Sequence, residues 1–197
     1  PAATGLLVLL LGRATKLSMK LTADDKVYEG TMELGQATDS YDAQGEVTAT
    51  ADVPPLDCDA LNAGAEAFTG DLQQQPPMVS AVKKDGVPLY KLARKGQTVE
   101  REPKLVHIYS FKFSNYTEPV GTFRVRCTKG TYVRSLAHDL GQNFGCGAHL
   151  RTLHRTESGK FNVTDAMRLE QLVKLPDADL LGRVMSLLEL TRLLKPE

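Results

Sequence analysis

The segment Lys129-Gly130-Thr131-Tyr132-Val133-Arg134-Ser135 places a base and a glycine where a strand ends, then sends a tyrosine and an arginine into the first turn of a helix. A cation in that turn opposes the helix dipole and gains nothing from it. Arg134 is therefore either an ordinary surface residue or a side chain held there to grip a carboxylate bidentately, as its planar guanidinium can. Far upstream, Tyr28 ends the run Asp25-Lys26-Val27-Tyr28. An aromatic on the inner face of a strand is ordinary core; the chemical alternative is stacking on a nucleobase or service as an acid or base. Cys146 and His149 are spaced like half a metal site, but no second pair with matching spacing follows. Structural zinc takes four ligands, so two ordinary residues and no metal are expected.

These side chains need elements to position them. Leu6-Leu7-Val8-Leu9-Leu10-Leu11 is the strongest apolar run. It is far shorter than the roughly 20 residues that cross a bilayer, and it has neither a basic region before it nor a cleavage site after it. It predicts a buried opening strand. Gly12-Arg13-Ala14-Thr15-Lys16 reads as a turn into a short helix ending near Leu21. Alternation over 26–34 predicts a strand with one wet face, and the polar stretch 38–45 a loop. Helical spacing of Leu61, Ala65 and Phe68 predicts a helix over 57–68, with Gly70 as its stop. Residues 73–103 are proline-punctuated and basic around a short helical stretch at 89–94, a composition typical of a functional or mobile excursion.

Strands are predicted at 106–113 and 121–127. The helix after Thr131 should be capped by that hydroxyl, carry Leu136, Leu140 and Phe144 on one face, and end at Gly145. Short strands at 151–155 and 160–163 follow, and helices over 164–173 and 180–194 close the chain. The fold class is mixed α/β (α+β), with mostly antiparallel strands and flanking helices.

A chain of 197 residues with 42% hydrophobic composition can bury a sizeable core in one domain with a small appendage. Three cysteines without a paired motif make no disulfide framework, which points to a reducing compartment and a cytoplasmic location. The formal net charge is zero, but its distribution is uneven. Residues 22–60 hold ten acids against Lys26 alone; 83–104 hold seven bases and three acids, and 124–160 seven bases and two acids. Such segments are either solvated faces or a surface that meets phosphates.

Several segments, taken together and in order, resemble the tRNA pseudouridine synthase B (TruB) family. They are Pro1-Ala2-Ala3-Thr4-Gly5, Gly12-Arg13-Ala14-Thr15-Lys16, the Tyr28 context, Leu34-Gly35-Gln36-x-Thr38-Asp39 with Asp42-Ala43-x-Gly45, Pro76-Pro77-Met78-x-Ser80-Ala81-x-Lys83, Leu89-Tyr90-x-x-Ala93-Arg94-x-Gly96, the Lys129–Ser135 segment and Gly145-Cys146-Gly147-Ala148-His149-Leu150. The resemblance implies a pseudouridine synthase fold over 1–175, a helical extension over 176–197, and an element at 73–103 that closes over RNA. It implies that a uridine of the tRNA T-arm is flipped out of its stack and isomerised, with neither metal nor organic cofactor and with no membrane partner.

By the same resemblance, Tyr28 stacks on the base and assists the proton step, and Arg134 pairs with the nucleophilic aspartate. Tyr132 and Leu153 line the uracil pocket, with Asp42 close by. Lys83, Arg94, Lys129 and Arg151 are candidates for phosphate contacts. The nucleophilic aspartate of the family would stand immediately before Pro1, and an upstream segment carrying it is expected elsewhere. Arg134 is then expected to lack its carboxylate. A catalytically dead RNA-binding or RNA-chaperone protein on the same scaffold is the alternative, and an unrelated α/β binding module the third reading.

Overall fold

Alternating side chains build the centre of the molecule, and the helices cover one face of what they build. The computed structural model describes residues 3–195. Strand β1 (Thr4–Gly5) leads through a 3-10 turn to helix α1 (Ser18–Ala23), then to β2 (Lys26–Leu34), β3 (Gln36–Thr38) and β4 (Val47–Thr50). Helix α2 (Cys58–Glu66) and strand β5 (Gly70–Gln74) precede a hairpin, β6 (Lys83–Lys84) and β7 (Val87–Pro88), and helix α3 (Leu89–Ala93). Two long strands, β8 (Lys104–Thr117) and β9 (Val120–Cys127), come next, followed by helix α4 (Val133–Asn143). The chain continues through β10 (Ala148–Ser158), β11 (Phe161–Asn162) and the short helices α5 (Leu169–Leu172), α6 (Asp177–Gly182) and α7 (Leu187–Leu193).

The main sheet runs β1-β10-β2-β9-β8-β5, with β11 paired to β10. β1 lies parallel to β10, and every other pairing in this sheet is antiparallel. This is the mixed, mostly antiparallel arrangement that the alternation predicts. Met32 and Leu34 of β2, Phe111 and Phe113 of β8, and Phe123 and Val125 of β9 turn to one face and meet Leu61 and Ala65 of α2 and Leu136 and Leu140 of α4. Phe111 and Phe123 pack edge to face with ring centroids 5.6 Å apart. Each such large side chain, once fully buried, contributes about 1.5–3 kcal/mol. Asp57 caps α2 by accepting from Ala60 N–H at 2.8 Å, which fixes where that helix starts. Lys26 caps the end of α1 instead, its ammonium donating to the carbonyls of Thr22 and Asp24.

Three expectations are corrected. The opening apolar run is not a buried strand: pairing stops at Gly5, Leu6 is buried, and Leu7, Leu9 and Leu11 are 70%, 65% and 63% exposed. Its alternation buries one row of side chains, and among the described residues no sheet partner covers the other. Thr131 does not cap α4: it lies one residue before the N-cap, Tyr132, which has no side-chain cap of its own, and its hydroxyl donates to Thr128 C=O at 2.9 Å. The two closing helices are three, since Pro176 precedes the start of α6, and Ser186 and Glu189 form a capping box that begins α7 afresh.

Helix α4 approaches the start of β10 so closely that a Cβ at Gly141 would lie 2.1 Å from Ala148 N and 2.4 Å from Gly147 C. Gly141→Ala should therefore cost about 2–3 kcal/mol through overpacking, read as a lowered urea midpoint at unchanged m-value. On the same helix, burial pushes the Asp139 carboxyl up from 3.8 to about 6. Between those values the folded state holds a proton that the unfolded state has lost, so stability falls as pH rises through that window. Asp139→Asn should be more stable than the parent at pH 7, with the difference vanishing below pH 3.8 in urea melts.

Candidate active site

A cleft of about 830 Å³ opens over the middle of β2 and β10, walled by the 39–46 loop, the 79–94 segment and the N-terminus of α4. Ala3, Tyr28, Asp42, Arg94, Tyr132, Arg134, Arg151 and Leu153 all line it. Lys83, exposed on the β6 hairpin, and Lys129, exposed in the turn after β9, are not among the lining residues.

Arg134 reaches the cleft from the first turn of α4, and its carboxylate partner is Asp42. Nη1 donates to Asp42 Oδ2 at 2.9 Å and to Ser40 C=O at 3.2 Å, while Nη2 donates to Val79 C=O at 2.7 Å. The expectation of an arginine lacking a carboxylate is thus corrected. Both side chains are mostly buried, at 21% and 14% exposure, so removing either would strand a desolvated charge. Asp42 in turn is fixed by its own loop. Ser40 Oγ and Gln44 N–H both donate to its Oδ1, at 2.7 and 3.1 Å. Thr38 Oγ1 donates to its backbone carbonyl at 2.8 Å.

The bend that makes this possible is Tyr41, a non-glycine residue at φ 65°. Such a conformation costs about 1–3 kcal/mol and persists only where its surroundings over-determine it. Here the Tyr41 ring stacks on His138 of α4 at 3.8 Å, and its carbonyl accepts from Leu150 N–H of β10 at 3.0 Å.

Tyr132 is held through its backbone. The Gln74 amide, 2% exposed, accepts from Tyr132 N–H at 2.7 Å and donates to Tyr132 C=O at 3.0 Å. Ser135 Oγ adds a bond to Gln75 C=O at 3.1 Å. The end of β5 thereby takes over the capping role that Thr131 does not fill. Gly130, at φ 81°, supplies the turn that delivers the chain to this clamp.

Tyr28 sits mid-strand, opposite Val125 on β9 and Arg155 on β10. Burial raises its phenol above the usual range, the Cys127 thiol adds to the rise, and the Arg155 guanidinium opposes it. Tyr28 is accordingly a neutral phenol at pH 7. Leu153 lies opposite Gly30 and packs against the core, while Arg151 pairs with Glu33 at 3.4 Å. Arg94 lies over the Tyr90 ring at 5.6 Å, a cation–π contact at the edge of the cleft. Cys146 Sγ faces Gly147 C=O and His149 Nδ1 faces Gln36 C=O. Among the described residues no group of three or more His, Cys, Asp and Glu could hold a metal ion.

Sequence reasoning missed Gln74, Ser40 and Arg155. The signal for Gln74 is faint: an amide ending a strand just ahead of Pro76-Pro77.

Comparison with known proteins decides the family. The model for the TruB family pseudouridylate synthase (N terminal domain) matches residues 1–133, and that for the tRNA pseudouridylate synthase B C-terminal domain matches 134–196. The chain belongs to the TruB family. Relatives in it include the tRNA pseudouridine synthase B of Opitutus terrae, 55% identical over 89% of this chain and 73% of that protein. The Geobacter sulfurreducens protein of the same name is 45% identical over 94% of this chain and 61% of its own length.

Among solved structures, a Cbf5-Nop10-Gar1 complex contains a chain matching at TM-score 0.64 and 27% identity, over 87% of this chain and 42% of that one. An H/ACA RNP bound to a substrate RNA containing 2'-deoxyuridine matches at TM-score 0.57 and 24% identity, over 83% of this chain and 38% of its own, and shows the same fold. The border between the two TruB models falls inside α4. That helix and the β10 strand behind it are packed into the main core, so the family border is no break in the fold.

Gln74→Ala should leave Tyr132 N–H without a protein partner, while Tyr132 C=O still accepts from the Ser135 and Leu136 N–H groups, and lower stability by about 1–3 kcal/mol. Urea denaturation checks this, and a loss below about 0.5 kcal/mol, the usual range for surface substitutions, would remove Gln74 from the clamp.

Proposed function

We propose that the protein is a tRNA pseudouridine synthase that isomerises a uridine of the tRNA T-arm. The observation that carries this reading is convergence. Tyr28, Tyr132, Leu153 and the Arg134–Asp42 pair come from four separate stretches of a TruB-family chain and line one cleft. A uridine stacked in RNA is closed to reaction at its glycosidic bond and at C5, so it must be flipped into such a cleft. Leu153 and Tyr132 offer the base an apolar bed, and Tyr28 offers a ring to stack on and a hydroxyl. Arg94 and Arg151, exposed around the same cleft, meet the flanking phosphates.

The isomerisation breaks the bond from N1 to C1′, turns the uracil, joins C5 to C1′, releases the C5 proton and returns a proton to N1. The family's nucleophilic aspartate precedes Pro1 by resemblance, and that position lies outside the described residues. Ala3, close behind it in sequence, already lines the cleft. Arg134 is suited to receive that second carboxylate. A guanidinium carries five N–H donors, three of which bind Asp42, Ser40 and Val79. The Nε–H and one Nη2–H have no acceptor among the described residues, which leaves donors to meet a carboxylate.

Release of tritium from C5-labelled uridine in a T-arm stem-loop, measured with the full-length protein, tests the reading. Tyr28→Phe should slow single-turnover release by at least about a hundredfold while leaving RNA affinity near that of the parent. Undiminished release would remove Tyr28 from the chemistry, and RNA binding without any release by the parent would mean an RNA-binding scaffold instead.

A further inference from the structure

Arg155 is a β10 residue that the reaction scheme above does not use. It stands directly opposite Tyr28 across the β10–β2 ladder, so the two side chains leave the same face of the sheet. Its Nε and Nη2 both donate to Leu6 C=O, the first at 2.8 Å. Leu6 N–H donates back to Arg155 C=O at 2.8 Å. The segment behind Ala3, which lines the cleft, is therefore tied at both of its backbone groups to this one residue. The Nη1 hydrogens are not claimed by Leu6.

We propose that Arg155 is the positioning residue of Tyr28: it holds β1 and the tyrosine in one register and turns the phenol proton into the cleft. The direction follows from donor counting. A guanidinium has donors and no acceptor, so the phenol oxygen can meet it only as an acceptor. The tyrosine's own proton then points away from Arg155, toward the space a flipped base occupies. Two titratable neighbours act on Tyr28 from the adjoining strands. Cys127 of β9 has its thiol pushed up to about 11 by burial and is neutral at pH 7, which leaves Arg155 of β10 as the charge that acts on the phenol there.

The consequence for turnover rests on the isomerase reading, whereas the contact itself does not, and the two can be tested apart. Full-length protein labelled with [13Cζ]tyrosine is titrated by NMR, with the Tyr28 resonance assigned from its loss in Tyr28→Phe. Arg155→Gln keeps an amide donor for Leu6 C=O but removes the charge and the fork. It should raise the Tyr28 titration midpoint by at least about one pH unit and slow tritium release at least tenfold at unchanged RNA affinity. Arg155→Lys should restore the midpoint and part of the rate, a rescue that a purely structural clip would not give. A Tyr28 midpoint in Arg155→Gln that matches the parent overturns the proposal. A parent protein without turnover overturns the isomerase reading and leaves the NMR titration to decide the contact.

Discussion

Burial of helix α4 is the constraint on which the rest of the structure depends. Its inner face, Val133, Leu136, Ala137 and Leu140, is sealed against the sheet and α2, and its outer turn presents Tyr132 and Arg134 to the cleft. A helix of this length is not stable alone in water; packing holds it, so the same contacts that stabilise the fold also set where the guanidinium sits. Gly141 allows the closest part of that packing, where α4 meets the β10 backbone. The geometry of the cleft and the core are one object here.

Around that helix the polar groups are arranged as a relay of supports. Arg134 draws together the 38–45 loop and the 79–81 stretch, which otherwise share no regular hydrogen-bonding ladder. Asp42 takes its place through Ser40, Thr38 and the unusual backbone of Tyr41, and Tyr41 is braced by His138 one turn along α4 from Arg134. The loop that supplies the carboxylate is thus braced by the helix that supplies the cation. Such mutual bracing keeps a mostly buried ion pair in one geometry, which favourable Coulomb energy alone does not do.

How much of this was legible in the sequence depends on whether the signal was local. The alternation of 26–34 gives β2 residue for residue, and the spacing of Leu61, Ala65 and Phe68 gives α2 with its start to within one residue. The Lys129–Ser135 pattern correctly marks a strand end, a turn and a helix. What it cannot display is the residue at which the helix begins: Thr131 is a suitable cap by type, yet the cap position falls on Tyr132. The Gln74 clamp, the Asp42–Arg134 pair and the Arg155 clip join residues 58, 92 and 149 positions apart. No periodicity encodes contacts of that separation. The apolar run at 6–11 shows the converse, a composition that favours burial without specifying what does the burying.

The parallel pairing of β1 with β10 joins Thr4 to His154, two positions nearly a protein's length apart. During synthesis the first strand must wait, unpaired, until the ribosome has released the tenth. Closing so long a loop is slow relative to forming the helices and the β8–β9 hairpin. The N-terminal wall of the cleft is therefore among the last parts of the molecule to take shape. The nascent chain can pair β2, β9 and β8 before β10 arrives to close the cleft. Timing, as well as geometry, separates the folded scaffold from the competent one.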